Sequence, residues 1–351
     1  MSPSPFRRRP IALFFLATFA LALCGHAYAD LVWSAQTGWQ VQGGVLSGVA
    51  QKDAGTALAL MNRAKAAEDR NSYGSSASLY EKVAKKYPNS VYAAEALYRS
   101  GNMRLARKQY YKAVEDYQQM LGRYPNTKRF DEVVGLEYKI GSLLLDGKRN
   151  HAWGWLPGFT NRTRGIEYME TVLINAPYSD YAPLALMNSA RGHEYLGEKE
   201  EAIDALDRMT NSYAQSVLAS SAYLRLGQLY ASLSDGPEYD QASTKQAVSY
   251  YEDYMILFPS DNNISTAAAG LDKMKKELAE SKVKIGDFYF YKRDNYPAAR
   301  VFYNEAITAY PDSAVAVEAR KRLVLVDAKA TGKPVPVDPG VPQKHKKFWI
   351  F

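Results

Sequence analysis

Side chains that commonly carry catalysis or bind metal ions are few in this sequence and widely scattered. The 351 residues include four histidines and one cysteine. His151, His193 and His345 lie far apart, without the short ligand spacing that a metal site needs. Acidic pairs occur only at the spacing of a helix surface, and neither a phosphate-binding loop motif nor a nucleophile-elbow motif is present. We therefore predict no catalytic residue, no metal site, no cofactor and no enzymatic activity.

The elements that would position a binding site are helices, as the stretch 92–127 illustrates. Apolar residues recur there at four-residue spacing in two successive segments, which is the helical period. Gly101 and Ala113 are small where two helices must approach, and Tyr117 is large enough to fill a gap between them. Pro125 then ends the second helix because it lacks an N–H and clashes with the preceding turn.

This order of small and large residues resembles the tetratricopeptide repeat, and the turn that closes it recurs along the chain. The six closing turns are Tyr87-Pro88-Asn89-Ser90, Tyr124-Pro125-Asn126-Thr127, Ala176-Pro177-Tyr178-Ser179, Tyr213-Ala214-Gln215-Ser216, Phe258-Pro259-Ser260-Asp261 and Tyr310-Pro311-Asp312-Ser313. We predict an all-α fold: a tetratricopeptide-repeat solenoid of about six helix pairs that winds as a right-handed superhelix. The polar residue after each proline is expected to cap the next helix.

The N-terminus has the pattern of an export signal. Arg7–Arg9 precede an apolar run from Ile11 to Leu23, and Ala27–Ala29 offer a small-residue cleavage site. We predict a signal peptide over 1–29 and a mature protein outside the cytoplasm, in the periplasm or at the cell outer membrane.

Cys24 leaves two alternatives open for the mature N-terminus. Leu21-Ala22-Leu23-Cys24 resembles a bacterial lipobox, although Leu23 is not the small residue expected before the cysteine. Either the chain is cleaved after Ala29, or Cys24 is lipidated and anchors the protein to the membrane. In both cases no disulfide can form.

The remaining chain divides by composition into three segments. Residues 30–53 lack a helical period and are predicted to be an irregular arm, 54–328 form one continuous solenoid, and 329–351 are an extended Pro/Lys-rich tail with an aromatic end. The formal net charge is +7, but three of the cations lie in the leader and the rest are spread thinly. A nucleic-acid partner is therefore not expected.

Candidate binding residues follow from the expected concave face, which the first helix of each pair lines. Such mixed polar and aromatic grooves suit an extended peptide or a partner helix. The predicted partner-binding residues of this face are Tyr98, Asn102, Leu105, Tyr138, Ser142, Asp287, Phe290 and Tyr291. An insertion in the third pair adds Trp153, Trp155 and Phe159. The tail adds Phe348, Trp349 and Phe351 as candidates for docking onto a partner or onto the protein itself.

Three features together resemble the BamD family of outer-membrane assembly lipoproteins. They are an exported array closed by turns of the Tyr-Pro-Asn/Asp-Ser type, the segment from Lys284 to Ala299 (KIGDFYFYKRDNYPAA), and the Trp153–Phe159 insertion inside a repeat. The resemblance covers about 55–325. It implies a non-enzymatic periplasmic scaffold that binds the barrel subunit of the assembly machinery or incoming unfolded outer-membrane proteins.

Two other readings remain open. The first is the periplasmic coordinator of the Tol–Pal system, which carries similar repeats but usually begins with a coiled coil, and no sustained heptads precede residue 55. The second is an accessory protein of carbohydrate or peptidoglycan metabolism with a hidden active site. The sequence shows no pair of carboxylates arranged for such chemistry.

Overall fold

The computed structural model describes residues 30–42 and 51–334, and within them the chain is almost entirely helical. The thirteen helices there form six antiparallel pairs and one terminal helix, as the repeat pattern predicts. Their bounds are α1 Gln51–Asp69, α2 Tyr73–Lys86, α3 Ala93–Ala106, α4 Tyr110–Arg123, α5 Phe130–Leu145, α6 Arg162–Asn175, α7 Tyr181–Leu196, α8 Lys199–Ser212, α9 Ala219–Ser232, α10 Ala242–Leu257, α11 Ile264–Arg293, α12 Tyr296–Ala309 and α13 Ala314–Ala330.

The chain divides into two compact units, with the boundary between Tyr181 and Ala182. The first unit contains the pairs α1–α2, α3–α4 and α5–α6. The second contains the pairs α7–α8, α9–α10 and α11–α12, followed by the terminal helix α13. The continuity of one solenoid through this boundary, and its right-handed winding, stay predictions.

In the pairs α3–α4, α9–α10 and α11–α12, the two helices approach closely because a glycine on one faces a tyrosine on the other. A Cβ atom added to Gly101 in α3 would lie 2.3 Å from Cε1 of Tyr117 in α4. The same pairing joins Gly286 to Tyr303, where the added atom would lie 2.6 Å from the tyrosine ring. Tyr117 and Tyr303 are fully buried. The predicted pattern of small and large residues therefore corresponds to the contact between the two helices of a pair, where the glycine leaves space for the tyrosine ring.

The closing turns differ from the prediction in one respect. Ser313 does cap the helix that follows it, since its Oγ accepts from the Ala316 N–H at 3.1 Å. Ser90 and Ser179 donate to the carbonyls of the C-cap residues of the preceding helices, Tyr87 (2.7 Å) and Ala176 (2.8 Å), and Ser313 makes the same contact with Tyr310 at 2.7 Å. These hydroxyls thus bind carbonyls at the end of the preceding helix, whether or not they also cap the next one.

The segment 30–53 is not the irregular arm that its composition predicts. Strands β1 (Asp30–Ser34) and β2 (Gly38–Gln42) form an antiparallel hairpin, and α1 already begins at Gln51. Trp39 is 3% exposed. The hairpin is stabilised by packing against α1, a tertiary contact that local sequence patterns do not report.

The structure also describes the insertion of the third pair and the start of the predicted tail. The insertion between α5 and α6 contains a short hairpin of β3 (His151–Ala152) and β4 (Leu156–Pro157). At the C-terminal end, α13 continues to Ala330, two residues beyond the predicted end of the solenoid. The predicted signal peptide 1–29 with Cys24, and Phe348, Trp349 and Phe351 of the tail, lie outside the described residues.

Candidate binding surfaces

The first helices of the three pairs in the first unit share one surface, here called the first-helix face. Charged side chains connect α1, α3 and the start of α5 along it. Arg99 of α3 donates to Glu68 of α1 at 3.2 Å and to Glu95 at 2.8 Å. Arg129, at the N-cap of α5, donates to Glu95 at 2.7 Å and to Glu132 at 2.9 Å. The face is therefore a row of alternating carboxylates and guanidinium groups that spans three repeats.

The N-terminal hairpin covers one end of this face. The backbone N–H of Trp39 donates to Oδ1 of Asn62 in α1 at 2.9 Å. The Trp39 ring lies 5.2 Å from the Arg99 guanidinium, and the Trp33 ring lies 4.5 Å from Lys65 Nζ. Both contacts are in the range of cation–π attraction. The first-helix face thus already holds an extended aromatic segment of polypeptide, supplied by the chain itself.

The candidate residues of α3 lie on this face but differ in accessibility. Tyr98 is buried, its hydroxyl donates to Glu132, and the Arg129 guanidinium lies 4.1 Å from its ring. Asn102 is half-buried and accepts a hydrogen bond from Tyr117 at 2.6 Å. Leu105 is also half-buried. Tyr98 and Asn102 therefore help to join the helices, whatever else they bind.

The candidate residues of α5 are Tyr138 and Ser142, and both are half-buried. The Tyr138 ring lies 5.4 Å from that of Tyr181, the last residue of the first unit. Ser142 Oγ is buried, and no hydrogen-bond partner for it is present in the part of the chain that the structure describes.

In the second unit, three candidate residues of α11 have three different environments. Asp287 accepts from Tyr303 at 2.6 Å and from Arg322 of α13, and burial raises the pKa of its carboxyl although Arg322 is close. Phe290 is 6% exposed and belongs to the core. The prediction that it contacts a partner is therefore wrong. Tyr291 is 39% exposed and lies edge-on to Phe290 at 4.6 Å. Tyr291 is therefore the accessible member of the three.

The insertion of the third pair is far more exposed than the first-helix face. Trp153, Trp155 and Phe159 are 65%, 69% and 93% exposed, and the two indoles stack with centroids 6.2 Å apart. The structure therefore brings Trp153 and Trp155 together in the turn of one hairpin, and Phe159 follows its second strand.

The base of this hairpin is fixed to the turn between α3 and α4. The N–H of His151 donates to the Lys108 carbonyl at 2.9 Å, and the N–H of Tyr111 donates to Asn150 at 3.2 Å. Arg107 also donates to the Trp153 carbonyl. The aromatic residues are thus presented by a backbone that the neighbouring repeat holds in place.

Two groups of polar residues in the structure were not predicted from the sequence. The row of Arg99 and Arg129 with their carboxylates was missed because its members lie in different repeats; the Glu95–Arg99 spacing on one helix was the available signal. Glu137 of α5 was also missed. It is fully buried, and among the described residues only Asn175 donates to it, at 3.3 Å. Burial raises its pKa to about 7.

The described residues contain no cluster of His, Cys, Asp and Glu that could hold a metal ion. Within the same ranges, 30–42 and 51–334, no helix has the length and apolar character needed to cross a membrane.

Comparison with known proteins bears on the class of the molecule. A family model described as a tetratricopeptide repeat matches residues 58–90, 95–127, 184–216 and 280–313. These are the first, second, fourth and sixth helix pairs. The two unmatched pairs carry insertions between their helices, at the tryptophan hairpin and at the loop 233–241. Four of the six helix pairs therefore have the sequence of tetratricopeptide repeats.

Within that class the chain is BamD-like, as two relatives indicate. It is 27% identical over 188 residues to the outer membrane protein assembly factor BamD of Rickettsia prowazekii, covering 53% of this chain and 69% of the relative. It is 24% identical over 164 residues to BamD of Caulobacter vibrioides, covering 47% of this chain and 53% of the relative. The match therefore spans only about half the length of the second relative.

Solved structures give weaker likenesses. The C-terminal part of a repeat-containing protein from Cytophaga hutchinsonii is 19% identical, with a TM-score of 0.31, over 76% of this chain and 95% of that chain. The MamA protein is 18% identical, with a TM-score of 0.29, over 70% of this chain and 98% of that chain. Scores this low add nothing to the assignment.

Proposed function

We propose that this protein is a non-enzymatic scaffold that binds partner polypeptides during the assembly of outer-membrane β-barrel proteins. It would act in the periplasm at the outer membrane, held there by acylated Cys24 or exported as a soluble chain. The partners would be the barrel subunit of the assembly machinery or unfolded outer-membrane proteins, with no nucleic acid and no cofactor involved. The similarity to BamD of two organisms supports this role.

One structural observation carries the binding part of the proposal. The N-terminal hairpin lies on the first-helix face as an extended segment, with Trp33 over Lys65 and Trp39 over Arg99. A surface that binds one extended aromatic segment has the chemistry to bind another, through cations for aromatic rings and polar groups for the backbone. The predicted residues Leu105, in the first unit, and Tyr291, in the second, are the accessible positions from which to test it.

The test is site-specific photo-crosslinking in living cells. The photoreactive amino acid p-benzoylphenylalanine replaces Leu105 or Tyr291 in the full chain, and adducts are identified by mass spectrometry. A matched control places it at Tyr178, which is 99% exposed but lies in a closing turn. We expect adducts with a barrel-assembly subunit or with unfolded outer-membrane proteins from the first two positions and none from Tyr178.

Other outcomes would redirect or end the proposal. Adducts with Tol–Pal components alone would favour the alternative role as a periplasmic coordinator of that system. Adducts from Tyr178 but not from Leu105 or Tyr291 would show that neither first-helix position contacts partners.

The two ends of the chain are part of the same proposal. Mass spectrometry of the mature N-terminus distinguishes Asp30 from acylated Cys24, which decides whether the scaffold is anchored. Removal of Phe348–Phe351 should change the set of crosslinked partners if the tail docks onto a partner or onto the protein itself. An unchanged set would exclude the tail from both roles.

A further inference from the structure

The exposed hairpin of the third pair differs from the first-helix face in both shape and charge. Its turn carries Trp153 and Trp155, its second strand begins with Leu156, and Phe159 follows just after that strand; all four are at least 43% exposed. Beyond the two indole N–H groups, these four side chains offer no hydrogen-bonding group that could recognise a particular protein sequence. Clustered exposed aromatic residues of this kind indicate a binding surface rather than chance exposure.

The stretches of chain that form and hold the hairpin are basic. No acidic residue occurs between Gly147 and Ile166, or between Leu105 and Val114 in the turn that holds the hairpin. Lys148 and Arg149 are exposed at its base, and neither forms an ion pair within the described residues. This part of the chain thus carries a local excess of cations, bounded by Asp146 on one side and Glu167 on the other.

A cavity at the base of the hairpin gathers these cations. It has a volume of about 410 Å³, and its lining includes Lys108, Lys148, Arg149 and His151. Its lysine and arginine side chains can pair with an anionic phosphate group. The hairpin therefore combines exposed aromatic rings with basic residues at its foot.

We propose that this hairpin, through Trp153, Trp155 and Phe159, inserts into the headgroup region of an anionic phospholipid membrane. Tryptophan favours the boundary between water and lipid, because its ring is apolar and its N–H can still find a polar partner. Lys148 and Arg149 would then meet the phosphates of the headgroups. This assigns the predicted insertion site to a lipid surface in place of a polypeptide, and it stands apart from partner binding by the first-helix face.

The contacts that fix the hairpin make insertion effective. The backbone hydrogen bond from His151 to Lys108 and the contact of Arg107 with the Trp153 carbonyl hold the loop before it meets a membrane. Little conformational entropy is then lost on binding, so that the apolar area of the rings contributes more fully to affinity.

The test uses the exported chain carrying Cys24→Ser, so that an acyl group cannot contribute. Binding is measured by flotation with vesicles of phosphatidylcholine containing about one third phosphatidylglycerol, and with vesicles of phosphatidylcholine alone. Trp153→Ser/Trp155→Ser should weaken binding to both about tenfold or more. Lys148→Glu/Arg149→Glu should weaken binding to the anionic vesicles only. Circular dichroism confirms that each variant keeps its helices.

Tyr178→Ser is the matched control, since it removes an equally exposed aromatic side chain elsewhere in the same unit. It should bind vesicles like the parent chain. Brominated lipids should also quench the tryptophan emission of the parent more than that of the double tryptophan variant. Vesicle binding that persists in Trp153→Ser/Trp155→Ser overturns the proposal. The proposal is also overturned if the double tryptophan variant binds vesicles like the parent but no longer crosslinks to a protein partner. That result would assign the hairpin to a polypeptide.

Discussion

Glu137 shows at the scale of one residue how burial changes a carboxyl group. Its Oε1 is buried without a hydrogen-bond partner in the described chain, and no cation contacts it. The nearby tyrosines Tyr117 and Tyr168 stay neutral throughout the range in which Glu137 titrates. Desolvation therefore dominates, and the pKa rises to about 7.

This pKa predicts how stability depends on pH. Between the unfolded pKa near 4.5 and the folded pKa near 7, the folded state holds a proton that the unfolded state has lost. Stability should therefore rise as pH falls from about 8 to about 5, by roughly 2–4 kcal/mol from this group. Glu137→Gln should be more stable than the parent at pH 8 by a similar amount and about equal to it at pH 5, as measured by urea unfolding.

A variant at an exposed carboxyl is the control for this pH effect. Glu167→Gln, in the neighbouring helix α6, should change stability by less than about 0.5 kcal/mol at either pH. Some pH dependence should remain in Glu137→Gln, because burial also raises the pKa of Asp116 to about 7. If Glu137→Gln matches the parent at pH 8, the carboxyl is better solvated than its burial indicates.

At the scale of the element, the helix pair depends on the glycine that faces a tyrosine. Gly101→Ala gains about 1 kcal/mol of helix propensity but places its Cβ against the buried Tyr117 ring. That ring cannot move aside, because its hydroxyl is hydrogen-bonded to Asn102 and it is enclosed by the pair. Overpacking costs about 1–3 kcal/mol, so we expect a net loss of stability.

Gly122→Ala in α4 is the matched control for Gly101→Ala, and the stability of both variants is measured by thermal unfolding. No atom would lie within 4 Å of an added Cβ there. Gly122→Ala should therefore raise stability by about 0.5–1 kcal/mol. If both alanine variants are stabilised, the contact between Gly101 and Tyr117 does not limit how closely the helices approach.

At the scale of the whole molecule, successive pairs are joined by charges as well as by apolar contacts. Arg104 of α3 donates to Asp116 of its own pair at 2.7 Å and to Glu81 of the preceding pair. Arg104 and Asp116 are 9% and 2% exposed. Each pair cannot bury its apolar faces alone, so a contact that spans two pairs contributes to the stability of the array.

Removal of this cation should be costly. Arg104→Met leaves Asp116 buried without its partner and should destabilise the protein by about 3–5 kcal/mol at pH 8. The loss should be smaller at pH 5, where Asp116 is protonated. Arg104→Met/Asp116→Leu should recover most of the stability, since neither charge remains. Both effects are measured by urea unfolding.

An exposed ion pair is the reference for Arg104. Arg300→Met breaks the contact of Arg300 with Asp327, in which both side chains are at least half exposed. Its cost should not exceed about 1 kcal/mol. Equal losses for Arg104→Met and Arg300→Met would mean that burial of the Arg104–Asp116 pair has no influence on its strength.

The sequence by itself determined the helix pairs, their number and the turns that close them. Helical period, glycine, tyrosine and proline act within a few residues of one another, and such local patterns can be read from a chain. The aromatic insertion was also identifiable, because its residues are consecutive. The apolar character of Phe290 was evident too, yet only the fold decided that it belongs to the core and Tyr291 to the surface.

Tertiary structure alone decided what depends on residues far apart in the chain. It paired Arg99 and Arg129 with carboxylates of other repeats, placed the N-terminal hairpin on α1, and enclosed Glu137 without a cation. It also gathered Lys108 with Lys148 and Arg149 beneath the tryptophan hairpin. Burial and electrostatics depend on distances in space, which no spacing along the sequence reports.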